Sequence, residues 1–286
     1  MYSLITLINK AQLIVFLSIP PNFLISSMCV NYTPTRKELL PSQFNAELKI
    51  DIDWKPETWQ DYLAPFIRHN QHGEREALVG AYSMIPKQKI APGVKRFSTM
   101  NARAETVGQL RSYAKPWREG QLCLVPMQHF FEPNYESGKA ERWRIGLNDV
   151  SDFAVAGLYR EWRDAHPDGS QMNDLQEGSV VDENGDLLSF SFTQLTINAD
   201  EHGLMRRFHQ PGDEKRSLVI LHQDEYDAWL ACRNPEQARA YLQLFPAERM
   251  WAEPHPSKPR PSKKKTLEPK NASPVDSLPI QGSLLD

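Results

Sequence analysis

Four stretches of this chain, far apart in sequence, carry side chains that could do covalent chemistry together. Cys29 follows Met28. The string Asn101-Ala102-Arg103-Ala104-Glu105-Thr106 packs an amide, a guanidinium and a carboxylate closely together. Glu132 ends the apolar run Phe130-Phe131, where a carboxylate is costly to bury unless it is paired or solvated in a cleft. His209 stands just before another apolar run, after Arg206-Arg207-Phe208. A thiol, a carboxylate, an imidazole and an amide are the set expected around an activated nucleophile: one group attacks, two move protons and one orients. Each also has a plainer reading. Asn101 could cap a helix, Glu132 could sit at an exposed strand end, and His209 could be a loop residue. Composition and spacing leave both readings open.

Cys29, Cys123 and Cys232 are widely separated and odd in number. They form no Cys-x-x-Cys pair and no zinc-ligand spacing, so a reducing cytosol is expected, with no metal and no cofactor. Cys123 and Cys232 read as small buried apolar residues. The segment before Cys29 differs from the rest. Ala11–Ile19 is apolar but too short to span a bilayer, and with Lys10 before it and Ser26-Ser27 after it, it loosely mimics a secretory signal. Pro20 and Pro21, directly after the apolar run and within residues 1–27, count against that reading. The preferred reading places residues 1–28 outside the fold, as a leader or a misassigned start, with Met28 the true initiator. Removal of Met28 would then expose the α-amine of Cys29.

The 286 residues are 40% hydrophobic and 24% charged, ordinary for a globular protein with a full core. A net charge of −3 excludes a whole-molecule positive field, so any nucleic-acid site must be a local patch. Between residues 29 and 251 the chain reads as one domain. Leu122–Phe131, Arg142–Leu147, Phe153–Tyr159, Leu188–Ile197 and Ser217–Leu221 are rich in β-branched, aromatic and alternating residues and are predicted strands. Helices are predicted within Glu57–Ile67, over Ala102–Ala114 with Asn101 as its cap, over Asp224–Cys232, and over Pro235–Phe245 with Asn234 as cap and Pro235 in the first turn. Strands in the middle and helices at the edges give an α+β class. Ala252–Asp286, rich in Pro, Lys and Ser, is predicted to be a disordered tail.

The NARAET string, the CLVP…FFEP strand, AGLYREW, the F-T-x-L-T strand and HQPGDEKRSLVIL together resemble the SOS response-associated peptidase (SRAP) family, from Cys29 to about Phe245. The resemblance implies a mixed, barrel-like central sheet with flanking helices. It implies binding of single-stranded DNA and a stable covalent cross-link at abasic sites, made by a Cys exposed after loss of the initiator Met, here Cys29. It implies that Asn101, Glu132 and His209 complete the active site. Arg103 becomes a phosphate ligand and Thr196 lies near the reactive centre. Tyr82 replaces a family Trp and is a candidate for stacking on a base, with the core as its other place. The expected protein is a cytoplasmic, nucleoid-associated monomer with no membrane partner.

An N-terminal Cys offers an amine and a thiol on adjacent carbons. The amine attacks the open-chain aldehyde of an abasic sugar, and the thiolate closes a five-membered thiazolidine; an internal Cys cannot do this, because its nitrogen is an amide. The chain departs from the family pattern in four places: Val30-Asn31 after the Cys, Pro133 after the Glu, Tyr82 in place of the Trp, and extra residues Gly212–Lys215 before the last strand. Two other activities fit the same residues: a thiol peptidase or autopeptidase acting through Cys29, and a single-strand-binding module without chemistry.

Overall fold

The computed structural model describes residues 31–164 and 178–256. Their strands are β1 (Asn31–Pro34), β2 (Glu47–Leu48), β3 (Leu63–His69), β4 (Arg75–Tyr82), β5 (Asn101–Arg103), β6 (Leu122–Asn134), β7 (Glu141–Leu147), β8 (Phe153–Asp164), β9 (Val180–Val181), β10 (Leu187–Asn198), β11 (Arg216–Leu218) and β12 (Met250–Pro254). Short helices α1 (Leu40–Phe44), α2 (Ala114–Arg118), α3 (Tyr226–Ala231) and α4 (Pro235–Ala238) lie between them. Five strands close a ring. β10 pairs with β4, β4 with β3, β3 with β6, β6 with β8, and β8 with β10 again. Only the β10–β4 seam of this ring is parallel. The chain is thus an α+β protein built on a mixed sheet that forms a five-stranded barrel, with extra strands at its margins.

Strand alternation sorts the apolar side chains into two sets. Phe66, Leu78, Val125, Val155 and Phe190 belong to one buried cluster; Ile67, Ala77, Leu124, Ala156 and Leu195 belong to the other. Successive side chains point to opposite faces of a strand, so both faces of these strands are buried. Phe66 on β3 meets Tyr159 on β8 and both Phe190 and Phe192 on β10, none of which neighbours β3 in the ring. The first set therefore fills the barrel interior. The second packs under the helices, where Trp229 of α3 donates from its indole to the Cys123 carbonyl at 2.9 Å. Burying one such aromatic or aliphatic side chain is worth about 1.5–3 kcal/mol.

Gly157 sits where β8 meets both neighbours, opposite Cys123 on β6 and Gln194 on β10. A methyl group there would lie 2.7 Å from the Thr193 carbonyl oxygen and 2.9 Å from Cys123 Sγ. Backbone cannot yield cheaply at a ring seam. We expect Gly157→Ala to cost about 1–3 kcal/mol, the usual range for overpacking, seen as a lowered midpoint in thermal unfolding.

All five predicted strands are present. Two predicted helices are not. Glu57–Ile67 runs through turns into β3, whose ladder to β4 captures Leu63–His69. Pro65 is tolerated there because β3 meets β6 at a single register pair, Ile67 opposite Leu124, so its missing N–H breaks no second ladder. Asn101 caps no helix. Asn101–Arg103 forms β5 alongside β10, and the next helix starts only at Ala114. Pairing with a long central strand overrides the local helical spacing of Ala102–Ala114. The last two predicted helices are shorter than expected: α3 spans Tyr226–Ala231, and α4 is one turn capped by the Asn234 side chain, which accepts from the Glu236 N–H. The domain end expected at Trp251 falls inside β12, which pairs with β7 as far as Pro254 opposite Trp143. Residues 1–28, Cys29 itself and nearly all of the predicted tail lie outside the described residues. Among those described, no helix is long and apolar enough to cross a membrane.

Candidate active site

Glu132 and His209 come together in the interior of the protein. Glu132, 2% exposed, lies near the end of β6 opposite Trp143 on β7. His209 Nε2 lies 3.0 Å from its Oε2. His209 is held in the left-handed region at φ 65, a conformation that costs a non-glycine residue about 1–3 kcal/mol and persists only where neighbours enforce it. Here its own N–H donates to the Pro133 carbonyl at 2.9 Å, and its carbonyl accepts from Lys215 Nζ at 3.3 Å. The Arg216 N–H donates to Nδ1 at 3.3 Å. Since Nδ1 accepts, the neutral ring carries its proton on Nε2, aimed at the carboxylate. Burial alone pushes the His209 pKa down, but the charge and hydrogen bond of Glu132 outweigh it, and the net direction is up.

The string around Asn101 meets the same region from the other side of β10. Asn101 pairs with Gln194 and Arg103 with Thr196. The Tyr82 hydroxyl reaches Gln194 Oε1 at 3.0 Å and Asn101 Oδ1 at 3.3 Å. The Tyr113 hydroxyl donates to the Asn101 carbonyl at 3.0 Å. Tyr82 is fully buried, in the core place weighed for it, and Thr196 is 1% exposed. Tyr82 orients the Asn101 amide. Thr196 offers its carbonyl at 2.7 Å and its hydroxyl at 3.2 Å to Arg216 Nη2.

Arg216, which sequence reasoning missed, ties these parts together. Its guanidinium is 2% exposed and grips both Glu105 oxygens at 2.9 Å, with Glu214 Oε1 at 2.7 Å. Burial raises the carboxyls of Glu105 and Glu214, but the hydrogen bonds from Arg216 and other donors hold both below the ordinary carboxylate range. A buried arginine needs such partners, and an Arg that closes the charged run Asp213–Arg216 at the head of an apolar strand was the available signal. Arg103 is part-exposed and bound to Glu214. Beside His209 opens a cleft of about 720 Å³ lined by Arg206, Arg207, Lys215, Tyr135 and Gly212. Among the described residues, no cluster of three or more His, Cys, Asp or Glu side chains could hold a metal ion.

Cys29 lies outside the described residues, which begin at β1. Asn31 pairs with Phe131, the neighbour of Glu132, and the Tyr32 ring meets the Tyr82 ring edge-on at 5.3 Å. The start of β1 is thus flanked by the Glu132–His209 pair and by the tyrosine that holds Asn101.

A family model described as "SOS response associated peptidase (SRAP)" matches residues 28–258. Two curated relatives from Bacillus subtilis (strain 168), both named abasic site processing proteins, match over 159 residues: YoqW at 28% identity and YobE at 30%. The match covers 54% of this chain, and the chain spans only 59% and 60% of the lengths of these relatives. A crystal structure of a Bordetella bronchiseptica protein superposes with a TM-score of 0.64 at 31% identity, covering 79% of this chain and 99% of that one. One from Bacteroides thetaiotaomicron gives 0.57 at 19% identity, covering 79% and 91%, a likeness of fold alone.

Proposed function

The chain belongs to the SOS response associated peptidase family, and from that premise we propose that it captures abasic sites in single-stranded DNA through Cys29, freed as the N-terminal residue. The observation that carries this reading is the buried Glu132–His209 pair placed beside the start of β1, two residues from Cys29. Perturbed titratable groups cluster at functional sites. The relatives' name, abasic site processing protein, agrees with it.

In the proposed reaction the Cys29 amine, whose reference pKa is about 8, attacks C1′ of the open sugar aldehyde. The carbinolamine loses water to give an iminium, and the thiolate adds to the same carbon. One C–N and one C–S bond form, and one water leaves for each link made. Glu132 takes and returns the protons of ring opening and amine attack, and His209, poised by Glu132, delivers a proton to the departing oxygen. Asn101 orients the sugar or the amine by hydrogen bonds. Arg103 binds backbone phosphate and fixes the strand without reading its sequence.

The peptidase in the family's description is the competing activity. Incubation with an abasic single strand should give an adduct that survives denaturation, whereas casein should stay intact. Cleaved casein without an adduct would reverse the assignment.

A further inference from the structure

Glu214 lies within the extra segment Gly212–Lys215, and its carboxylate is seated in a cradle of three donors. Arg103 Nη1 binds Oε2 at 2.5 Å, while Arg216 Nη1 at 2.7 Å and Asn198 Nδ2 at 3.2 Å bind Oε1. Two guanidinium groups and an amide converging on two oxygens match the chemistry of a phosphodiester, whose non-bridging oxygens ask for the same donors. We propose that Arg103, Arg216 and Asn198 form a phosphodiester subsite of the DNA strand, which the free protein fills with its own Glu214. The proposal rests on the DNA-binding function proposed above.

The exchange is feasible by the contacts on the page. Glu214 is one-third exposed, so its carboxylate can rehydrate on leaving. Arg216 stays paired when it leaves, because Glu105 holds the guanidinium through two bonds and Thr196 through two more. Arg103 is 36% exposed and has its contact with Glu214 to give up. Gly212, at φ +88 and with open space around the position of a side chain, leaves the segment room to swing. The subsite lies one strand from the reactive centre, since Arg103 is two residues from Asn101 along β5 and the Arg216 N–H holds His209. Each phosphate bound there must displace a tethered carboxylate, so the protein binds a single strand less tightly, and with less counterion exchange, than its arginines would by themselves.

The test is titration of a fluorescent oligo-deoxythymidine strand with no abasic site, so that no covalent step intervenes, over a series of salt concentrations. Glu214→Gln keeps the side chain's shape and removes its charge. It should tighten binding about twofold to fivefold, the range for a partly exposed ion pair. It should also steepen the slope of log affinity against log salt by about 0.7, one more phosphate contact on a single strand. In an Arg103→Gln background the same change should gain less, because only Arg216 is then left for it to free. Glu214→Asp, shorter but still charged, should fall between. An unchanged affinity and slope in Glu214→Gln, or an equal gain with and without Arg103, overturns the subsite while leaving DNA binding intact. If neither the unchanged protein nor Glu214→Gln binds the strand, the DNA-binding function fails, and the subsite falls with it.

Discussion

A Cys29→Ala protein forms no denaturant-stable adduct with an abasic single strand, however long the incubation, and still holds an intact strand as tightly as the unchanged protein. The loss is complete because the two bonds of the link depend on different atoms of one residue. The alanine amine can still attack the sugar aldehyde, but the iminium it gives has no sulfur to close onto it and returns to aldehyde in water. Borohydride should therefore trap a link in Cys29→Ala that vanishes without reduction. Strand binding should be untouched, because the proposed phosphate ligands lie on β5, β10 and β11 and none depends on the thiol. A stable adduct in Cys29→Ala, followed to another residue by mass spectrometry of digests, would remove Cys29 from its role.

Glu132→Gln should slow adduct formation by about a hundredfold, the lower range for loss of a positioned acid or base, without changing strand affinity. Gln keeps a hydrogen bond to His209 and loses the charge. That charge keeps the imidazolium of His209 present above the pH at which a free histidine loses its proton. Without it burial dominates, so His209 titrates below the ordinary histidine range. The histidine limb of the pH–rate profile should therefore move to lower pH in Glu132→Gln. The same linkage sets stability. A folded-state pKa raised above the unfolded value stabilises fully below the unfolded pKa, about 6.5, and this contribution is lost as pH rises through the folded value. Urea unfolding of the unchanged protein and of His209→Gln at several pH values checks this: the difference in stability should shrink as pH rises. A Glu132→Gln protein with the rate and profile of the unchanged one would leave the carboxylate a structural role only.

The barrel was legible in the sequence where strands are buried on both faces. β8 opens on the apolar run Phe153–Tyr159, β6 is mostly apolar over Leu122–Phe131, and β10 sets Leu, Phe and Ile between Ser, Thr and Gln. The β3–β4 hairpin was missed. The apolar spacing through Trp59, Leu63 and Phe66 imitates a helix, and Pro65 argues against a central strand, whereas the true marker is the turn at Asn70–Gly73. There the Asn70 side chain accepts from the His72 and Glu74 N–H groups and Gly73 adopts φ 78. β5 was missed for a different reason. Three residues beside a central strand have no periodicity of their own, and only the partner, Gln194–Thr196, makes them a strand.

The site shows the same division. Glu132 and His209 were named from residue type and resemblance, and the structure brings them within a hydrogen bond. Tyr82, weighed between base stacking and the core, is buried with its hydroxyl on Asn101, and Thr196, expected near the reactive centre, bonds Arg216. Arg216 was passed over because a charged residue before an apolar run reads as a strand edge. Its burial depends on Glu105 and Glu214, one of them over a hundred positions away in sequence.

The intact mass of the adduct, taken on protein expressed from its native gene and reacted with a synthetic abasic strand, tests the central claim most directly. The account predicts the mass of a chain beginning at Cys29 plus that of the strand, less one water. An adducted chain that keeps any residue ahead of Cys29 would contradict it, because no thiazolidine can form on an amide nitrogen.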